Sequence, residues 1–172
     1  MEGAEFGVIL PPALDVIMLW VHLLSAVIFV GGSFFMWLVV VPSSRLITSD
    51  ESERTQIVGK IAKRFGRITN VVLVVLIVSG LYNAMWYLPS PAALFDTYTG
   101  NLLLVKMVLV AALLLLIYSN NLYFGKKIVR FAREKKLKEL EATRRQSRMV
   151  SAVNMALMLL ILLFAVLLQM PV

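Results

Sequence analysis

A histidine and a lysine inside long apolar segments are the residues with the clearest chemical potential. His22 is the only histidine of the 172 residues, and Lys106 is the only charged residue between positions 97 and 125. A titratable side chain in hydrocarbon is costly, so it usually faces a bundle interior or water and serves a function. Neutral imidazole binds copper, zinc or haem iron. The lysine would either pair with an anionic group, such as a haem propionate, or be held neutral by desolvation and transfer protons.

Met18 lies four residues before His22, which places a thioether and an imidazole on the same face of a helix. This pair of donors suits Cu(I). Structural roles stay open, because methionine is common in apolar packing, a lysine near a helix start can snorkel, and a buried histidine can bond a backbone carbonyl. The candidate metal ligands are therefore His22 and Met18, the candidate cofactor-binding residues are His22 and Lys106, and no catalytic residue is assigned.

Four apolar segments are long enough to carry these residues across a membrane. A bilayer core of about 30 Å requires roughly 20 apolar residues in a helix, and the predicted helices cover residues 14–41, 67–88, 100–124 and 149–170. Only 16% of the residues are charged, whereas a soluble domain has about 25%. Because each backbone polar group must be satisfied within its own helix in lipid, we expect an all-α four-helix bundle forming a single domain.

The distribution of basic residues predicts the orientation. Of the 17 lysines and arginines, 16 lie between positions 45 and 67 or between 126 and 148. Basic loops stay cytoplasmic, so loops 45–66 and 126–148 are predicted to be cytoplasmic and both termini to lie outside a plasma membrane. The same charges favour attraction to anionic lipid headgroups and not to nucleic acid. The acidic flank and long apolar run of the first segment argue against a cleaved signal peptide.

His22 and Lys106 are predicted to lie at similar depths. His22 is about eight residues, roughly 12 Å, inside the first helix, and Lys106 is about seven residues inside the third. Both helices enter the membrane from the outer side in the predicted orientation. We therefore expect the two side chains to face one another in the bundle interior, in the outer half of the bilayer.

These residues resemble a known pattern. His22 followed by Val30-Gly31-Gly32 resembles the start of the membrane domain of copper resistance protein D, the CopD family. The segment from Thr97 to Lys106 is similar to that family's aromatic-x-Gly-x-hydrophobic-Lys opening of a helix, and Ser79-Gly80-Leu81-Tyr82 also fits. The resemblance covers three of the four spans. It implies an inner-membrane protein linked to copper uptake or resistance, acting beside an extracytoplasmic copper-binding protein.

The HemJ type of protoporphyrinogen oxidase is also similar. That family is a four-helix membrane protein with a functional histidine in helix one and a lysine in helix three, and His22 and Lys106 fit those roles. Arg144-Arg145 and Asn154 resemble its basic approach to helix four, although Met155 stands where that family tends to have Glu. This second resemblance implies a membrane oxidoreductase that binds haem b.

Three functions are therefore open: a CopD-like protein handling copper near the outer face, a haem b oxidoreductase, or an accessory subunit of a membrane complex. The first is favoured, so enzymatic activity is not the preferred expectation. With no cysteine in the chain, thiolate metal sites are excluded. A chain with one histidine cannot build a multi-histidine copper site alone, but a homodimer would supply a second His22. The expected partners are the lipid bilayer, a second copy or larger complex, and an extracytoplasmic copper-binding protein.

Overall fold

The protein is built from four long helices that run alternately up and down. The computed structural model describes residues 12–85, 88 and 90–168. Within this part of the chain, four helices are long and apolar enough to cross a membrane: Ala13–Ile47, Glu51–Ala84, Tyr98–Arg133 and Leu137–Leu167. No strand occurs among the described residues. The prediction of an all-α, four-span membrane bundle is confirmed.

Two of these helices contain a short π-helical segment, in which each backbone hydrogen bond joins residues five positions apart instead of four. The elements in chain order are α1 (Pro12–Phe35), a π segment (Met36–Val40), α2 (Val41–Ile47), α3 (Glu51–Ala84), α4 (Ala93–Asp96), α5 (Tyr98–Ser119), a second π segment (Asn120–Gly125), α6 (Lys126–Arg133) and α7 (Leu137–Leu167). We call the end of the bundle that carries α4 the α4 end. The opposite end carries α2, α6 and most of the lysines and arginines, and we call it the basic end.

The helices extend beyond the predicted apolar segments at the basic end. α3 begins at Glu51 and α7 at Leu137, so most of the residues predicted as loops 45–66 and 126–148 are helical. The apolar pattern marks only the membrane-crossing part of each helix, and glutamate, lysine, arginine and alanine continue the helix beyond it. Asp50 caps α3, because its carboxylate accepts hydrogen bonds from the backbone N–H groups of Ser52 and Glu53 at 2.6 and 3.0 Å.

The core takes one residue from each long helix. Phe29, Leu73, Leu113 and Met158 are buried together in the middle of the bundle. α1 packs along α3, α5 packs along α7, and α6 contacts α3 at the basic end. Many large apolar side chains instead point outward, for example Val27, which is 68% exposed. Such an outer surface is stable only in lipid, so the bundle is a multi-pass membrane protein.

The start of α5 is fixed by a tight contact with α4. Thr97 caps α5 by accepting a hydrogen bond from the N–H of Gly100 at 2.9 Å. A Cβ atom at Gly100 would lie 2.0 Å from the carbonyl oxygen of Ala93 and 2.8 Å from the Cα of Leu94. Only glycine allows this approach. The contact sets the entry of α5 into the bundle, and with it the position of Lys106 two turns later.

Candidate functional site

His22 lies on the face of α1 that packs against α3. The side chains of Ser25 and Phe29 on this face are buried, and those of Met18 and His22 are half-buried. Their spacing of three and four residues keeps all four on one side of the helix. The imidazole therefore points toward the neighbouring helix and away from the lipid.

Two groups of α3 hold the imidazole through its Nδ1 atom. Nδ1 lies 3.1 Å from the carbonyl oxygen of Leu76 and 3.1 Å from the hydroxyl oxygen of Ser79. The hydroxyl of Ser79 donates its own hydrogen to the carbonyl of Val75 at 2.6 Å. Because a carbonyl can only accept, Nδ1 carries the proton and donates to Leu76. In the neutral ring the lone pair is then on Nε2, for which the described residues offer no hydrogen-bond partner.

The imidazole also rests against Gly80 of α3. A Cβ atom added at Gly80 would lie 2.9 Å from Cε1 and 3.4 Å from Nδ1 of His22. Such contacts are too short for a real side chain, so any larger residue would displace the ring. Ser79 and Gly80 therefore act together, one by hydrogen bonding and the other by leaving room.

Lys106 lies on the inward face of α5. It shares that face with Leu103 and Leu113, which are 6% and 4% exposed. Lys106 precedes Leu113 by seven residues, and His22 precedes Phe29 by seven residues. Since Leu113 and Phe29 belong to the same core layer, both titratable groups lie about 10 Å from that layer, toward the α4 end.

His22 and Lys106 lie at one level of the bundle without a hydrogen bond between them. The hydrogen bonds of His22 go to Leu76 and Ser79 of α3 and not to Lys106. Within the described part of the chain, no carboxylate lies within salt-bridge distance of the Lys106 ammonium. The structure thus brings the predicted pair to one level of the bundle interior. That they bind a common ligand stays a prediction.

Further polar groups lie on the α4 side of His22. The amide nitrogen of Asn83, one turn beyond Ser79 on α3, is buried, and the residues that the structure describes offer it no hydrogen-bond partner. The hydroxyl of Tyr82 donates to the carboxylate of Asp15 at 2.7 Å and ties α3 to α1. The sequence did not reveal this Asp15–Tyr82 pair, because an acid at a helix start is also typical of a solvated membrane boundary.

An apolar cleft of about 390 Å³ opens nearby between α3, α4 and α5. Leu103 and Met107, which flank Lys106 on α5, line one wall, and Met85 lines another. Its volume is in the lower part of the range of small-molecule sites. Lys106 itself is not among the residues that line the cleft.

The donors available for a metal are few. Among the residues that the structure describes, no group of three or more histidine, cysteine, aspartate or glutamate side chains could hold a metal ion. On α1, the imidazole of His22 and the thioether of Met18 lie about one turn apart on the same face. Both are soft or borderline donors, which suit Cu(I) and do not suit Mg²⁺ or Ca²⁺.

Comparison with known proteins identifies the family. The sequence model of the protein family described as copper resistance protein D matches residues 59–168, nearly two-thirds of the chain. The match includes Ser79, Gly80 and Lys106, whereas His22 and Met18 precede it. Neither a curated protein nor a solved structure matches the chain. With its four apolar helices, the chain is therefore a multi-pass plasma-membrane protein that belongs to the copper resistance protein D family.

Proposed function

We propose that this CopD-family protein handles copper as its cargo, with His22 and Met18 as the ligands in the α4 half of the bundle. The observation that carries the proposal is the arrangement of the imidazole. Metal-ligating histidines commonly donate one ring N–H to a carbonyl or carboxylate, which fixes the tautomer and directs the other nitrogen to the metal. His22 donates Nδ1–H to Leu76 in this manner and leaves Nε2 available.

A site with only two protein ligands agrees with a copper ion that is bound and then passed to another protein. An imidazole and a thioether suit Cu(I), and two ligands leave coordination positions open. A donor from a partner can enter such an open position and exchange the ion. A second copy of the chain would supply another His22, and an extracytoplasmic copper-binding protein would supply or accept the cargo. If the basic loops are cytoplasmic, as their charge implies, the site lies near the outer face.

The charge of Lys106 affects copper binding in this proposal. A cation bound at His22 would lie in a medium of low dielectric constant, within range of the ammonium charge, and like charges repel strongly there. Binding is therefore favoured when Lys106 has lost its proton. In this account Lys106 couples uptake of a copper ion to release of a proton.

A second candidate function is favoured by two donors for which the described part of the chain supplies no acceptor. The ammonium of Lys106 and the buried amide of Asn83 both offer hydrogen bonds, which suit a carboxylate and not a metal cation. Haem b presents carboxylates together with an iron that accepts an imidazole, so the residues fit it: His22 would bind the iron and Lys106 would hold a propionate. When bound, haem would supply electron-transfer chemistry, as the HemJ resemblance implies.

One experiment on the purified protein distinguishes these functions. The full chain is purified in detergent, and its absorption spectrum is recorded together with its copper and iron content. We expect copper to bind in near-stoichiometric amount without a Soret band. A Soret band with stoichiometric iron would show that the ligand is haem and not copper. Absence of both ligands, with stable association with another subunit, would instead indicate an accessory role.

A further inference from the structure

A second site lies at the basic end, far from His22. A cleft of about 960 Å³ opens between α3 and the stretch from Gly125 through α6. Four cationic side chains line it: Lys63, Lys126, Arg130 and Arg133.

Most of this charge is not neutralised by the protein. Glu134 also lines the cleft, but it already pairs with Lys136 at 2.8 Å and lies 3.9 Å from Arg130. Across residues 12–85, 88 and 90–168, no carboxylate lies within salt-bridge distance of Lys63, Lys126 or Arg133. Like charges that converge on a cleft repel one another, so the cleft is set to attract an anion.

Glycines keep this part of the surface open. Gly59 and Gly66 flank Lys63 on α3 by about one turn on each side, and Gly125 lines the cleft. A Cβ atom added at any of these glycines would meet no atom within 4 Å. The space around the lysine is therefore not filled by the protein and can admit a group the size of a phosphate.

The cleft lies where the apolar part of the third long helix ends. Leu122 and Tyr123, which lie between the lining residues Asn121 and Gly125, are 62% and 55% exposed, as expected of residues in lipid. The Nζ atom of Lys127 lies 3.9 Å from the centre of the Tyr123 ring. Aromatic residues beside cations are typical of the membrane–water interface, the level at which the phosphates of lipid headgroups lie.

We propose that this cleft binds the phosphate-bearing headgroup of an anionic phospholipid. Arg130 and Arg133 supply forked guanidinium donors that match phosphate oxygens, and Lys63 contributes charge from α3. A bound headgroup would join α3 to α6 at the membrane surface. The acyl chains would lie along the exposed apolar surface that begins at Leu122. This site does not depend on the proposed copper function.

The test uses the full chain in detergent and native mass spectrometry, with phosphatidylglycerol and phosphatidylcholine of identical acyl chains as probes. Each basic residue near an anionic headgroup strengthens binding by about fivefold. We therefore expect phosphatidylglycerol to bind at least about fivefold more tightly than phosphatidylcholine. The double variant Arg130→Gln/Arg133→Gln should lose this preference. The matched control, Lys138→Gln/Arg145→Gln, removes the same charge from exposed positions outside the cleft and should keep it.

A second variant tests the cleft without changing its charge. Gly125→Leu places a side chain that fills part of the cleft. Its Cβ atom meets no neighbouring atom, so the fold should tolerate the substitution and lipid binding should weaken. Competition with inorganic phosphate distinguishes the source of the anion. Displacement of the lipid by millimolar phosphate would assign the cleft to free phosphates, and resistance to it would assign the cleft to lipid. Equal binding of the two lipids by the wild type, or equal losses in the cleft and control variants, would overturn the proposal.

Discussion

His22 donates its Nδ1–H to the backbone carbonyl of Leu76 across the α1–α3 interface, with 3.1 Å between the two atoms. For a histidine with a purely structural role, such a bond would be a sufficient explanation. Here the same bond fixes which ring nitrogen is protonated and leaves the other one free, so packing and ligand binding are compatible. The predictions that follow separate these two roles.

Removal of the Ser79 hydroxyl should weaken copper binding more than it weakens the fold. Ser79 is 1% exposed and lies 3.1 Å from Nδ1 of His22. Loss of a group that orients a metal ligand typically costs 10- to 100-fold in affinity. We expect Ser79→Ala to bind Cu(I) about tenfold more weakly in a competition titration with a chelator, with about 1 kcal/mol of lost stability.

Ser33→Ala is the control for that variant. The hydroxyl of Ser33 bonds only the carbonyl of Phe29 in its own helix, at 2.7 Å, and does not contact His22. Its removal should leave the copper affinity unchanged. Equal affinity losses in the Ser79 and Ser33 variants would show that Ser79 does not orient the imidazole.

Substitution of Gly80 should displace the imidazole. A methyl group there would lie 2.9 Å from Cε1 of His22, so the ring must move and its bond to Leu76 must lengthen. We expect Gly80→Ala to reduce copper affinity by about tenfold or more. Gly31→Ala is the matched control, since a Cβ at Gly31 meets no atom within 4 Å. It should bind normally, and unchanged binding by Gly80→Ala would contradict the proposed position of the ring.

Neutralisation of Lys106 distinguishes copper from haem by the sign of its effect. If copper is the cargo, Lys106→Gln removes a repelling charge, and Cu(I) affinity should rise roughly tenfold. The release of a proton on binding, measured in a weakly buffered titration, should then disappear. If haem is the ligand, the same variant loses the partner of a propionate and haem occupancy should fall. Lower copper affinity in Lys106→Gln would contradict the repulsion argument.

At the basic end, a partly buried ion pair joins α3 to α7. The guanidinium of Arg144 donates to the carboxylate of Glu51 and, at 2.6 Å, to the hydroxyl of Thr55. Burial acts to raise the pKa of Glu51, but the hydrogen bond and charge of Arg144, together with Arg54, outweigh it and hold that pKa below its usual value. A carboxyl with a lowered pKa stabilises the fold above its unfolded pKa and loses that effect as the pH falls through its folded pKa.

We therefore expect Glu51→Gln to lower the melting temperature at neutral pH, by an amount corresponding to about 1 kcal/mol for a pair that is partly exposed. The difference from wild type should shrink as the pH falls below the ordinary glutamate pKa of about 4.3. Glu141→Gln, at an exposed position of α7, serves as the control. A difference that persists at low pH would show that the charge of Glu51 is not the cause.

The sequence allowed the four spans and the relative level of His22 and Lys106 along the bundle to be predicted, because both depend on distance along single helices. Apolar length located the four helices, and counting from their starts put His22 and Lys106 at one level. Their inward direction on α1 and α5 also follows from helical periodicity, since each shares a face with buried residues.

The partners of His22 could not be predicted, because they depend on how α3 is rotated and shifted against α1. The resemblance to the CopD pattern included Ser79-Gly80, but it did not indicate that Leu76 would accept the bond. The turn between α6 and α7 was equally hidden. Lys135 there has a φ of 53°, a left-handed conformation that usually requires glycine, and no glycine marks the position.

The most direct test of the central claim is a Cu(I) titration of the purified chain against a competing chelator, with wild type and His22→Ala compared. We expect the wild type to bind Cu(I) with high affinity, at one ion per chain or one ion per two chains where a dimer shares it, and the variant to carry no detectable copper, with circular dichroism showing that both remain helical. Full copper occupancy of His22→Ala would contradict it.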